Sequence, residues 1–209
     1  MPLDLWLTFV AASTALLLIP GPTILLVLSY ALSKGRSVAV ASAAGVALGD
    51  LIAMTASLAG LGALVLASAT LFSLLKWVGA AYLVWLGIKL VRSAPGVGLH
   101  MVTPGRDVSA RSVFGHAAAV TALNPKSIAF FIAFVPQFLR PETPLVPQFA
   151  ILIATFVGLG ALNALAYALL ADRMRRLVGR AGFITGLTRA GGLALVAMGV
   201  ATAFMRRPA

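Results

Sequence analysis

The uncharged stretch from Leu5 to Ser33 is the feature that most limits how the chain can fold. A helix needs about 20 apolar residues to cross a bilayer, and this stretch exceeds that length. Similar apolar runs recur along the 209 residues, of which 61% are hydrophobic, so a soluble domain is excluded. The sequence predicts an all-α membrane protein with six transmembrane helices, at residues 5–33, 38–68, 71–91, 112–139, 147–171 and 186–205.

The basic residues predict how these spans are oriented. The net charge of +11 could suggest nucleic-acid binding, but the Lys and Arg residues lie mostly in short loops between spans. We therefore expect the lipid bilayer, and no nucleic acid, as a partner. Loops that stay in the cytoplasm are enriched in Lys and Arg. The loops after spans 1, 3 and 5 are the basic ones, so we expect these loops in the cytoplasm and both termini outside.

A long polar connection at residues 93–111 divides the chain into two sets of three spans, residues 1–92 and 112–209. We expect this connection to be a cytoplasmic linker loop between two repeats. Because three is an odd number of spans, the second repeat must insert upside down relative to the first. Such an inverted repeat is a common plan of secondary transporters.

Two sequence matches support a relation between the halves. The segment "GAAYLVWLG" at Gly79–Gly87 shares its end glycines and its central Leu-Val with "GGLALVAMG" at Gly191–Gly199, which lies 112 residues later. The segment "GVALGD" of span 2, shifted by 113 residues, falls on "GLGALN" of span 5, so Asp50 corresponds to Asn163. Two matches at nearly the same offset favour an internal repeat over chance similarity between glycine-rich segments.

Prolines interrupt spans 1 and 4 at corresponding places, in "IPGPT" and "ALNPKS". A proline inside a helix removes a backbone hydrogen bond and clashes with the preceding turn. Proline suits the first position of a new helix when a capping residue precedes it, as in Gly21-Pro22 and Asn124-Pro125. We therefore predict that helices 1 and 4 are broken near mid-membrane, with a simple proline kink as the alternative. Each new half-helix would present a positive dipole end suited to an anion.

Asp50 and Lys126 are the two charged residues that lie deep within predicted spans. Asp50 follows Arg36 by 14 residues, or ~21 Å of helix, and Lys126 follows Arg111 by 15 residues, or ~22 Å. Both charges fall near mid-membrane, where a charge costs about 3 kcal/mol on insertion scales. We expect Asp50 to bind the substrate ammonium or to carry a coupling proton. The alternative is a structural ion pair between Asp50 and Lys126.

Three further residues carry more than one interpretation. Asn163 lies in the same layer as the two charges, and it either contacts substrate or forms only an interhelical hydrogen bond. Gly45 and Gly49 form a GxxxG pattern, which favours close helix packing over ligand contact. Glycine faces on spans 2, 3 and 6 also allow a homodimer.

The motifs "IPGPT", "GAAYLVWLGIKL" and "NPKSIAFFIAFVPQF", with "GD" at the position of Asp50, resemble the LysE/RhtB superfamily of amino-acid exporters. The length, the predicted spans and the basic central loop are also similar to that family, so the resemblance covers nearly the whole chain. It implies efflux of an amino acid or a close derivative, such as threonine, homoserine, lysine, leucine or cysteine. It also implies a bacterial inner membrane and coupling to the proton gradient.

These features favour a secondary exporter that works by alternating access, with a channel or a non-transporting scaffold as the alternative. The helix starts and Lys126 would hold the α-carboxylate that all amino acids share, so substrate esters and amides should compete poorly. No catalytic or metal-binding motif occurs in the sequence, so we expect no enzyme, no cofactor and no metal. The expected substrate-binding residues are Gly21, Pro22, Thr23, Asp50, Asn124, Pro125, Lys126 and Asn163, with Asp50 also carrying the proton.

Overall fold

The structure is a computed structural model that describes residues 1–67, 69–93, 109–140, 143–171 and 181–204. Within these ranges the chain is helical and forms no strand. The helices are α1 Leu3–Leu18, α2 Pro22–Lys34, α3 Ala39–Ala67, α4 Ala69–Ser93, α5 Ala110–Ala122, α6 Pro125–Ala133, α7 Leu145–Leu169 and α8 Ala181–Phe204. Short 3₁₀ helices follow α2 at Gly35–Val38 and α6 at Val135–Phe138.

Between two and four membrane spans follow from helix length and composition in the described ranges. Ala39–Gly60 and Leu145–Leu169 are each long and apolar enough to cross a bilayer as single helices. The pairs α1/α2 and α5/α6 qualify when each bent pair is counted as one span. The all-α membrane class is therefore confirmed. Residues 94–108 of the predicted linker 93–111 and the basic loop at 172–180 lie outside the described residues, while Ser93 ends α4 and Ala110 begins α5.

Helix α3 packs against α5 through its two spaced glycines. A Cβ atom added at Gly45 would lie 2.8 Å from the Cβ of Ala117, and one at Gly49 would lie 2.6 Å from the carbonyl oxygen of Ala118. Real Cβ atoms do not approach other atoms so closely, so the helices can meet here only because both side chains are absent. The packing interpretation of the GxxxG pattern is confirmed.

Helix α4 packs against α8 in the same manner. A Cβ atom added at Gly87 would lie 2.5 Å from the carbonyl oxygen of Gly192, and one at Gly199 would lie 2.7 Å from that of Ala80. The position in α4 rises as the position in α8 falls, so the two helices run antiparallel. These glycines are covered inside the chain, whereas Gly60 of α3 and Gly186 of α8 are exposed and a Cβ atom there would meet nothing within 4 Å. The homodimer stays a prediction.

A cluster of buried phenylalanine rings holds α1, α6 and α7 together. The rings of Phe9 and Phe138 lie 5.2 Å apart, and those of Phe131 and Phe156 lie 4.8 Å apart, both edge to face. Lipid tails are as apolar as these side chains, so helix association in a bilayer depends on close packing rather than on the hydrophobic effect. The cluster fixes the positions of the helix segments on which the predicted site lies.

Candidate functional site

Both predicted breaks are present in the structure. Helix α1 ends at Leu18, and α2 begins at Pro22 after a bend of 56°. Helix α5 ends at Ala122, and α6 begins at Pro125 after a bend of 45°. In both cases proline takes the first helical position, as the sequence predicted, because its missing N–H is not needed there.

The N-termini of the two new helices lie side by side. The side-chain amide of Asn124, which caps α6 by accepting from the Lys126 N–H at 3.1 Å, donates to the Thr23 hydroxyl at 3.2 Å. The Thr121 hydroxyl donates to the same Thr23 oxygen at 3.3 Å. Thr23, Thr121 and Asn124 are all buried. Two positive dipole ends therefore converge, one from each half of the chain.

The C-terminal end of α1 receives the ammonium group of Lys126. The Nζ atom donates to the carbonyl oxygens of Leu16 at 3.1 Å and Ile19 at 3.0 Å. Carbonyls at a helix C-terminus lack partners within the helix and carry a partial negative charge, so a cation is favourable there. Lys126 thus binds the negative end of one half-helix, a contact that the sequence did not predict.

Two more side chains satisfy the remaining carbonyls at this end of α1. The amide of Asn163 donates to the Leu17 carbonyl at 3.0 Å, and the hydroxyl of Tyr167 donates to the Leu18 carbonyl at 3.2 Å. Both donors belong to α7 and lie one helical turn apart on the same face. Asn163 therefore forms an interhelical hydrogen bond, as one interpretation of the sequence expected, and its contact with substrate stays a prediction.

Asp50 lies in α3, 2% exposed, and its Oδ2 atom has no hydrogen-bond partner. Asp50 and Lys126 line the same cavity but form no ion pair, so the structural-pair interpretation is wrong for this conformation. A Cβ atom added at Gly160 would lie 2.5 Å from this Oδ2 atom. The carboxylate therefore occupies space that only glycine leaves free at this position of α7.

The cavity between the two breaks brings together most of the predicted site. Six of the eight predicted residues line it: Gly21, Thr23, Asp50, Asn124, Lys126 and Asn163. Pro22 and Pro125 do not, because their exposed rings begin the helices and point elsewhere. The residues that the sequence did not predict are polar Thr121 and Ser127, apolar Leu17, Ile24 and Val46, and Gly160. Gly160 precedes Asn163 by three residues on the same helical face, which is the one signal that could have indicated it.

The cavity is small. Its volume is about 20 Å³, which is room for about one water molecule. Helices close it from several sides, and its polar lining would contact anything that entered. In this conformation, called closed below, the cavity has no room for a ligand of amino-acid size, so the helix segments would have to move apart to admit one.

Residues 14–206 match the sequence model of the LysE type translocators. The chain belongs to the LysE-type translocator family. The match spans both helix breaks, α3, α4 and α7, so it includes every residue that lines the cavity. The family consists of transporters, so the protein is a multi-pass membrane translocator and not an enzyme.

Named relatives agree with this family. Over 174 residues, 83% of this chain, the translocator is 37% identical to 84% of the homoserine/homoserine lactone efflux protein of Salmonella typhimurium. The protein of the same name from Salmonella typhi matches equally, at 37% over 174 residues. An uncharacterized membrane protein of Vibrio cholerae is 33% identical over 190 residues, 90% of this chain and 91% of that protein. No solved structure matches the translocator.

Proposed function

We propose that this translocator exports homoserine, homoserine lactone or a similar small amino compound across the bacterial inner membrane, driven by the proton gradient. The observation that carries the proposal is the closed polar cavity between the two helix breaks. It contains one acidic group, one basic group and two helix N-termini in an otherwise apolar protein. Charges at such depth are costly, and in membrane proteins they mark substrate or ion pathways.

The substrate class follows from the relatives and from the chemistry of the cavity. The Salmonella typhimurium protein is named for two compounds, homoserine and its lactone. The lactone is a cyclic ester without a free carboxylate, whereas both compounds keep a primary amine. For this chain we infer that the ammonium is the shared anchor and that the carboxylate is secondary. This inference revises the sequence expectation that esters compete poorly, which stays untested for this protein.

The proposed transport mechanism is alternating access between two inverted three-helix repeats, residues 1–92 and 112–209. The packing of α4 on α8 supports this arrangement. The offset of 112 residues relates Ala80 to Gly192 and Gly87 to Gly199, so the Gly87–Gly192 contact and the Gly199–Ala80 contact are counterparts. Reciprocal contacts of this kind arise when a two-fold axis relates two elements. Binding sites in such transporters lie near mid-membrane, at broken helices between the repeats.

The size of the cavity supports the same mechanism. A volume of about 20 Å³ is too small for an amino acid, so a carrier with this site must change conformation to admit its substrate. Asp50 is the proposed proton carrier, because it is buried, its Oδ2 atom has no hydrogen-bond partner, and it faces the cavity. A channel would instead require a continuous path past these side chains.

The experiment that tests the function uses purified protein in liposomes with labelled homoserine and other amino acids, with and without a pH gradient. We expect saturable homoserine transport, inhibition by homoserine lactone, and accumulation that collapses when the pH gradient is removed. Flux that does not saturate and never accumulates would identify a channel. The absence of flux for every compound would identify a non-transporting scaffold.

A first prediction concerns the orientation. Basic loops lie in the cytoplasm, so a cysteine placed at Arg176 should be protected in intact cells from an impermeant thiol reagent added outside. The chain has no cysteine of its own, so the labelled site is unambiguous. Labelling from outside without cell lysis would reverse the orientation proposed here.

A further inference from the structure

We propose that the carbonyl oxygens of Leu16 and Ile19, at the C-terminal end of α1, form the binding site for the substrate's ammonium group. In the closed conformation Lys126 occupies this site as a tethered substitute for the substrate. The inference rests on the proposed function, since it assigns the part of the cavity that recognises the amine. It gives Lys126 a role different from the carboxylate binding that the sequence suggested.

The contacts of Lys126 are the contacts that a primary ammonium of any origin would make. The Nζ group has three N–H donors, and two of them have carbonyl acceptors at 3.0 and 3.1 Å. The α-ammonium of homoserine and that of homoserine lactone have the same charge, shape and donors. Whatever holds the Lys126 ammonium will therefore hold theirs, provided that Lys126 moves away.

The neighbouring carbonyls accept from side chains of α7, whereas those of Leu16 and Ile19 accept from Lys126; the Leu16 oxygen, which can accept two bonds, also accepts from the Ile19 N–H at 3.3 Å. The Leu17 carbonyl already accepts from Asn163, and the Leu18 carbonyl accepts from Tyr167. Both of these donors are neutral side chains on α7. At this end of α1 the cation is therefore the flexible side chain of Lys126, whereas the neutral side chains of Asn163 and Tyr167 bond to the other two carbonyls.

Asp50 is the second observation that points to a ligand. It is 2% exposed, faces the same cavity as Lys126, and leaves Oδ2 without a hydrogen bond. A carboxylate and an ammonium in one small cavity would pair if nothing competed, yet Lys126 bonds to the α1 carbonyls instead. When a substrate ammonium takes those carbonyls, Lys126 becomes free to neutralise Asp50.

The exchange also links binding to helix movement. The Lys126 ammonium ties the end of α1 to the start of α6, which are segments of different halves of the chain. A substrate ammonium that replaces it satisfies the same carbonyls but carries no covalent tether to α6. Binding thus releases a connection between the two halves, and departure of the substrate restores it.

The direction in which Lys126→Met changes the Kd for homoserine decides whether Lys126 competes with the substrate or binds its carboxylate. If the side chain competes with substrate, Lys126→Met should lower the Kd for homoserine by about tenfold or more, which corresponds to about 1.4 kcal/mol. If Lys126 instead binds the substrate carboxylate, the same variant should raise the Kd by a similar factor. Binding is measured on purified protein at equilibrium, so that a transport defect does not obscure it. A Kd within twofold of the unmodified protein overturns the proposal.

Chemical rescue keeps the test valid if the methionine variant does not fold. Lys126→Cys introduces the only cysteine of the chain, and 2-bromoethylamine converts it to a lysine-like side chain with a terminal ammonium. We expect the Kd of the cysteine variant to be low and to return to the unmodified protein's value after aminoethylation. Reaction with iodoacetamide is the matched control. It adds an uncharged amide of similar size, so the Kd of the cysteine variant should stay low. Equal effects of both reagents contradict the tethered-cation role.

Substrate fragments separate this inference from the proposed function. Homoserine lactone keeps the amine without the carboxylate, and 4-hydroxybutyrate keeps the carboxylate without the amine. We expect the lactone to displace labelled homoserine and 4-hydroxybutyrate to fail at a hundredfold higher concentration. If 4-hydroxybutyrate competes as well as the lactone, the ammonium site is wrong although homoserine binds. If neither homoserine nor any other amino acid binds the unmodified protein, the proposed function itself is wrong.

Discussion

The two helix breaks share a proline in the first position of the new helix, but their backbone groups are satisfied in different ways. At the second break the chain closes its own turn, because the Leu123 N–H donates to the Ala119 carbonyl and the Asn124 N–H donates to the Thr121 carbonyl, both at 3.1 Å. The Asn124 side chain then caps α6. Hydrogen bonds between neighbours in the sequence therefore complete the second break.

The first break has one such local bond, from the Ile19 N–H to the Leu16 carbonyl at 3.3 Å, and otherwise depends on the other half of the chain. No side chain caps α2 at Gly21, and the α1 carbonyls of residues 16–19 accept from Lys126, Asn163 and Tyr167. Lys126 at the second break thus donates hydrogen bonds, whereas the first break presents the carbonyl oxygens that accept them. This difference favours the proposal that the first break is the binding surface, because its carbonyls bond to donors that are distant in sequence.

The largest expected effect comes from the acidic group that faces the first break. Asp50→Asn keeps the size of the side chain but removes its charge, so it can neither balance Lys126 nor carry a proton. We expect gradient-driven homoserine export to fall to the level of liposomes without protein. Membrane insertion, measured by the amount of protein in the bilayer, should be unchanged. Normal export by this variant would remove Asp50 from the mechanism.

The second-largest effect is expected when the Asp50 carboxylate is displaced from its present position beside Gly160. In Gly160→Ala the new Cβ atom would lie 2.5 Å from Oδ2, so the carboxylate must shift. Overpacking of this kind costs about 1–3 kcal/mol, which corresponds to a roughly five- to 150-fold weaker homoserine Kd. Gly158→Ala is the matched control on the same helix, since its Cβ atom would meet nothing within 4 Å. Equal binding by the two variants would contradict the assignment.

A smaller effect is expected at Gly21 of the first break, where two substitutions of different size are compared. Gly21 has φ −117°, which any residue can adopt, so its role lies in the space that it leaves free rather than in backbone conformation. A Cβ atom there would lie 3.4 Å from the Lys126 Nζ atom, an ordinary contact. We therefore expect Gly21→Ala to reduce transport less than about threefold, and Gly21→Leu to reduce it at least about tenfold by displacing Nζ. Equal losses, or a matching loss of protein from the membrane, would indicate a folding defect instead.

The smallest effect is expected from removing the uncharged donor Tyr167, whose hydroxyl bonds to the first break. Tyr167→Phe removes one hydroxyl that donates to the Leu18 carbonyl at 3.2 Å. Hydrogen bonds between membrane helices average about 0.6 kcal/mol, so transport and homoserine Kd should each change by less than about threefold. A larger change in Kd would mean that this hydroxyl also contacts the substrate.

Much of the cavity could be predicted from sequence because its members are unusual for a membrane span. Asp50 and Lys126 are charges inside apolar runs, and the two proline positions are helix breakers with a suitable cap before them. Gly160 could not be identified in this way, because glycine is common in the chain and its role depends on an atom of α3. The role of Lys126 was also beyond the sequence, since an ammonium binds a carboxylate or a helix C-terminus with the same donors.

The sequence by itself determined where the helices stop and start. That outcome depends on local chemistry: a proline has no N–H to donate, and apolar side chains favour a helix in lipid. Only the tertiary structure decided which groups complete the first break. Apart from the local bond of the Ile19 N–H to the Leu16 carbonyl, the carbonyls at the end of α1 accept any donor within reach. The packing of α6 and α7 against α1 selects these donors, which are far away in the sequence.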